Sequence, residues 1–162
     1  MAEKLERIFE YRVLVSKARE LHIPLTEQEL ARLTRLEQQL PQGVPSVDDR
    51  DPYTMLQEPL RVEFVHAGRF APGTLCNASR DGFAIITVDP PPLGQRVTVH
   101  LTDHARGLEY TFPGRVIARV VKGATAMGVV LEGLPTEARL GGRRSGVFRT
   151  DDTPPRGKGK TK

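Results

Sequence analysis

The 162-residue sequence predicts a mainly β fold: a six-stranded antiparallel barrel with an N-terminal helical hairpin and a disordered basic C-terminal tail. Three observations carry this. The spacing of apolar residues switches from a period near 3.6 to a period of two around residue 60. Between there and residue 134, short strand-like runs recur at near-regular spacing, separated by turns rich in glycine, proline and aspartate. Beyond Leu134 the apolar pattern fades into a low-complexity end.

The first helix is marked by Leu5, Ile8, Phe9, Tyr11, Val15, Ala18 and Leu21, which recur three and four apart. Pro24 ends it, because a proline disfavours the helical conformation of the residue before it. Thr26 and Glu29 then stand at capping-box spacing, and Leu30, Leu33, Leu36 and Leu40 line one stripe of a second helix. Pro41-Gln42-Gly43 closes the hairpin, assigned to residues 1–44. Two helices this short do not hold together alone in water. Their stripe must be covered by the rest of the chain, by a second copy in a homodimer, or by a protein partner. Residues 45–58, with Pro45 and Pro52 and the acidic cluster Asp48, Asp49 and Asp51, have linker composition.

The barrel is assigned to residues 59–135. Leu60-Arg61-Val62-Glu63-Phe64 alternates strictly, as a half-buried strand does. Further strands are expected at 73–76, 83–87, 96–101, 115–121 and 127–131. A barrel of six short strands fills its interior with side chains, so a ligand would sit on its outside or rim. Residues 136–162 form the expected tail, whose end, Thr153-Pro154-Pro155-Arg156-Gly157-Lys158, has too little apolar surface to offset the entropy of ordering.

Composition bounds the function. With 27% charged and 38% hydrophobic residues the chain has an ordinary globular balance. No apolar run approaches the roughly 20 residues of a membrane helix, and the charged start Glu3-Lys4-Leu5-Glu6-Arg7 does not resemble a secretory signal. The expectation is a cytoplasmic protein without membrane insertion. The single cysteine, Cys76, rules out an internal disulfide and a thiolate metal cluster. Of the net charge of +4, residues 139–162 hold eight Lys/Arg against Asp151 and Asp152, or +6, which leaves −2 on residues 1–138. The basic excess belongs to the tail, and nucleic acid is not the expected partner of the globular part.

One motif stands out. Asn77-Ala78-Ser79-Arg80-Asp81-Gly82 joins the second and third strands. Asn and Ser side chains hold such turns by bonding nearby amides, and Asp-Gly favours positive φ. The spacing, Asn or Asp, any residue, Ser, two residues, Gly, resembles the second signature of the PilZ domain family. Pro90-Pro91-Pro92-Leu93-Gly94-Gln95-Arg96-Val97 and Ala126-Met127-Gly128-Val129-Val130-Leu131 resemble that family's fourth and sixth strand segments. The resemblance spans about residues 58–134. It implies a bacterial six-stranded barrel in motility or second-messenger signalling, with cyclic di-GMP as ligand, Asn77 and Ser79 contacting it and Gly82 permitting the turn. The family also carries an Arg-x-x-x-Arg pair ahead of the first strand, whose guanidinium forks match phosphate and guanine edges. Here that loop reads Asp51-Pro52-Tyr53-Thr54-Met55-Leu56-Gln57-Glu58-Pro59, without arginine, and Arg50 and Arg61 flank it eleven positions apart.

Other chemistry finds no support. His100 and His104 straddle a strand end and a turn, a spacing that does not bring two imidazoles to one metal. Ser79 lacks the glycine-flanked elbow of a hydrolase, and no cofactor is implied. The expectation is therefore a non-enzymatic regulatory adaptor with weak or no cyclic di-GMP binding, contacting a protein partner or a second copy through its helices. One alternative is a working receptor that recruits Arg50, Arg61, Arg80 or the tail. Another is a nucleic-acid-binding barrel tethered by the basic tail.

Overall fold

The computed structural model describes residues 2–47, 59–123 and 125–140. Helices α1 (Ala2–Arg19) and α2 (Glu27–Gln39) precede strands β1 (Leu60–His66), β2 (Arg69–Ala78), β3 (Gly82–Ile86), β4 (Arg96–Asp103), β5 (Leu108–Val120), β6 (Ala126–Leu131) and β7 (Thr136–Arg139). The order β4-β1-β2-β3-β6-β5, closed by a β4–β5 pairing, is a six-stranded antiparallel barrel. Every expected strand is present.

Alternation fills the interior. Along β4 and β5, Val97, Val99, Leu101, Tyr110, Phe112 and Val116 point inward and are buried, and Phe83, Ile85, Met127 and Val129 meet them from the opposite wall. The first half of β5 was not apparent in the sequence because Pro113 interrupts Leu108–Phe112, and a proline counts against a central strand. Pro113 pairs with Thr98 of β4. Its carbonyl, on its other edge, accepts from Glu132 N–H, just past the end of β6. The missing N–H therefore falls in the gap between β6, which pairs from Gly114 onward, and β7, which pairs with Leu108–Thr111.

β7 also lies where the tail was expected to begin. Thr136–Arg139 is fully exposed and offers no apolar pattern, but it completes the free edge of Leu108–Thr111 with ladder bonds. Backbone pairing, not burial, orders it. Residues 141–162 lie outside the described residues.

The hairpin closes on its own barrel. Leu5, Ile8, Tyr11, Leu14 and Val15 of α1 and Leu36 of α2, with Leu40 just beyond, share one core with the barrel interior. Phe9 lies 5.2 Å from the Tyr110 ring and meets Phe112 edge-on at 6.3 Å, while Phe112 meets Phe83 edge-on at 5.2 Å. Arg106 reaches Glu6 at 2.8 Å, and Ser16 Oγ donates to Gly133 O at 3.0 Å. Within the hairpin, the Arg32 fork grips both oxygens of Glu10, and the Thr26–Glu29 capping box forms as expected. Of the three covers open to the stripe, the chain's own barrel is the one used. Leu21 and Leu30, expected in the stripes, are instead about half exposed at the hairpin's tip, because α1 stops at Arg19 and His22 turns the chain at φ 54°.

Because α1 and the barrel share one core, they should unfold together. Ile8→Ala, at a fully buried position, is expected to cost about 2–5 kcal/mol in urea denaturation. Circular dichroism and tyrosine fluorescence should report the same single transition.

Candidate functional site

The Asn77–Gly82 corner is built by a bulge and a turn. Between Leu75 and Asn77 the β2–β3 register shifts by one residue, so Cys76 is extra and both Cys76 and Asn77 face the outer side of the barrel. Ser79 N–H then donates to Gly82 O at 2.9 Å and closes the turn. The Ser79 hydroxyl accepts from the amides of Asp81 and Gly82, both at 3.1 Å, and Asn77 Oδ1 accepts from Ala78 N–H at 2.9 Å. These are the local amide bonds expected of Asn and Ser at a turn.

Gly82 plays a different part from the one expected. It is not at positive φ. A Cβ there would stand 2.5 Å from Val129 O and 2.8 Å from Val44 Cγ2, so glycine is required by close approach, not by turn conformation.

Besides the β6 backbone at Val129, the neighbour that comes so close is the chain's own segment 41–47. After α2 it crosses the outer face of the barrel and lies against the motif. The Ser79 hydroxyl donates to Gly43 O, Gly43 N–H donates to Asp81 Oδ2 at 2.6 Å, and Arg80 N–H donates to Pro41 O at 3.2 Å. Both backbone groups of Gly43 are thus held by motif side chains. Farther along, Val47, inside the stretch expected to be linker, is buried with Cys76, Ala84 and Ala126 in a second apolar cluster on this outer face.

The five described candidate residues are not gathered into one cationic rim. Asn77 and Ser79 line a cleft of about 460 Å³ with Lys4, Gln42, Val44 and Pro45. Arg80 belongs to the corner, but its side chain turns to the hairpin: Nη1 donates to Glu37 O at 2.8 Å and the guanidinium sits 5.5 Å from the centre of the Tyr11 ring. Arg61 is exposed on β1 and lines a separate cleft of about 600 Å³ with Thr74, Ile86 and Val88. Arg50 lies outside the described residues.

Lys4, Asp81 and Gly43 were missed from sequence. Lys4 is the one cation among the described residues of the Asn77 cleft, and partial burial lowers its pKa from the ordinary lysine value. Its only sequence signal was a place near the start of an amphipathic helix. Gly43 gave none, since its contacts to Ser79 and Asp81 span 36 and 38 residues.

Among the described residues no group of three or more His, Cys, Asp or Glu is placed to hold a metal, and no helix is long and apolar enough to cross a membrane. His100 shares a hydrogen bond with Thr111 at 3.2 Å, and His104 is exposed in the following turn.

A filled six-stranded barrel with an Asn-x-Ser-x-x-Gly corner on its outer face defines a binding domain. The family model of the PilZ domain matches residues 49–141, more than half of the sequence, and the chain belongs to that family. It therefore carries a regulatory domain of the cyclic di-GMP-binding type, a family of binding and adaptor domains. No curated protein matches the chain.

The Ser79 hydroxyl bonds three backbone groups and joins segment 41–47 to its own turn. Ser79→Ala leaves Gly43 O and the Asp81 and Gly82 amides short of a partner, and should lower stability by about 1–3 kcal/mol. Gly82→Ala should cost about as much or more through overpacking against backbone. Urea denaturation of both variants measures this.

Proposed function

We propose that the protein is a non-enzymatic regulatory adaptor that acts by protein contact in bacterial motility or second-messenger signalling, and that it binds cyclic di-GMP weakly or not at all. The observation that carries the proposal is the occupied corner. Gly43 takes up the Ser79 hydroxyl and the Asp81 carboxylate, and Val44 packs on Gly82, where a dinucleotide would lie against the motif. Arg80 is committed to α2 and Tyr11.

The missing arginine pair sets the size of the effect. A charge-assisted hydrogen bond is worth roughly 1.5–3 kcal/mol. Two of them amount to about 3–6 kcal/mol, on the order of a hundred- to ten-thousand-fold in affinity. The Lys4 ammonium is a point charge and does not replace a guanidinium fork.

For partner contact the hairpin keeps its tip, since its stripe is used on the barrel. Leu21, Ile23 and Leu30 are 52, 44 and 51% exposed there, and such exposed apolar patches mark interaction sites. The nucleic-acid alternative lacks a row of exposed stacking side chains: Phe70 is the one exposed Phe or Tyr among the described residues.

Calorimetric titration tests the proposal. Cyclic di-GMP should bind with a dissociation constant above about 100 μM. Tighter binding that Asn77→Ala abolishes would establish a working receptor instead.

A further inference from the structure

A second cleft, sharing no residue with the Asn77 corner, lies between α1 and the β4–β5–β6 side of the barrel. It encloses about 620 Å³ and is lined by Arg12, Glu20, Arg96, Glu132 and the apolar wall of Val97, Pro113 and Leu131. That volume is within the range of small-molecule sites, roughly 300–1,000 Å³.

Arg12 is the anomaly. It falls on the core-facing side of α1, one turn from Ile8 and one from Ser16, and is only 9% exposed. Buried polar groups are almost always hydrogen-bonded, and an uncompensated buried charge costs several kcal/mol. Yet Arg12 Nε is fully buried without a hydrogen-bond partner, and no hydrogen bond or ion pair reaches the guanidinium from the described residues. The nearby carboxylates keep their charge, but each holds another hydrogen-bond donor and none bonds Arg12. Asp81 takes the Gly43 amide, Glu20 takes the Gly133 amide at 3.2 Å, and Glu132 pairs with Arg115 at 3.2 Å. Arg96, across the cleft, is exposed on β4. Burial lowers the Arg12 pKa, with Asp81 and Glu20 opposing only as nearby charges.

We propose that this cleft binds a small organic molecule through an oxyanion, phosphate or carboxylate, gripped by the Arg12 fork and assisted by Arg96. A planar guanidinium pairs with such a group bidentately, and the apolar wall accepts the carbon skeleton. The bound oxyanion supplies the hydrogen-bond acceptor that Arg12 lacks among the described residues.

The full chain is titrated separately with inorganic phosphate and with succinate, against sodium chloride at matched ionic strength. The wild type is followed by the Arg12 Nε–H resonance and by its thermal midpoint. One of the two anions, or both, should shift that resonance and raise the midpoint beyond the chloride control; which one responds identifies the headgroup. Arg96→Gln should weaken the response about ten- to a hundredfold. Arg12→Met should abolish it while leaving the anion-free midpoint equal to or above wild type, since apolar replacement of a buried charge is often neutral or stabilising. The proposal fails if neither anion moves the wild-type Arg12 resonance beyond chloride. It fails equally if Arg12→Met keeps the full response, or if that variant melts well below wild type, as loss of a purely structural arginine would cause.

Discussion

A six-stranded barrel this small is packed solid, and that fixes where everything else goes. Phe64, Phe83, Phe112 and Tyr110 occupy the interior with almost no exposure, so no ligand enters it. A free lateral edge, at Leu108–Thr111 of β5, is covered by β7, and the barrel's open end exposes apolar side chains. The α1 stripe covers that end, and in doing so covers itself. The two parts share one core.

Capping the barrel this way brings two polar consequences onto α1. At its N-terminal end Lys4 comes to the cleft beside Asn77. In its middle, the core-facing stripe carries Arg12 and Ser16 along with Ile8, Tyr11 and Val15. Ser16 finds a backbone carbonyl in Gly133, whereas Arg12 Nε finds no acceptor among the described residues. A stripe interrupted by a charge is weaker as a cap than an apolar one. Arg12 is for that reason a costly residue for folding alone.

Much of this was legible before any coordinates. The change of period at residue 60, the turn residues and the capping box are local signals, and each expected strand and both helices appear. The limits were equally physical. Whether the helical stripe met its own barrel, a second copy or a partner depends on contacts such as Phe9 with Tyr110, about a hundred residues apart, which no window registers. Pro113 hid half of β5 because the gap between β6 and β7 that tolerates it is a tertiary feature. β7 had no apolar pattern to read. At the motif, the turn chemistry of Ser79 was visible, but the reason for Gly82 was not. A glycine at a predicted turn suggests positive φ, whereas the β6 carbonyl of Val129 and the crossing of Val44 show that it is needed for space.

The corner illustrates why a motif and an activity are separable. Its residues make all their expected local bonds, and the turn is well formed. What decides binding is who uses the remaining capacity. A hydroxyl donates one proton, and that of Ser79 goes to Gly43 O. Asp81 Oδ2 takes the Gly43 amide, and the Arg80 guanidinium takes the end of α2. A ligand arriving at this surface must exchange intramolecular bonds for its own, one for one, and gains only the surplus. Phosphate-directed arginines would provide that surplus in charge. In their absence the exchange is close to neutral, and the same bonds that would have gripped a nucleotide hold the α2–barrel connection in place. The motif in this chain thus works as a structural clasp between the end of α2 and the barrel.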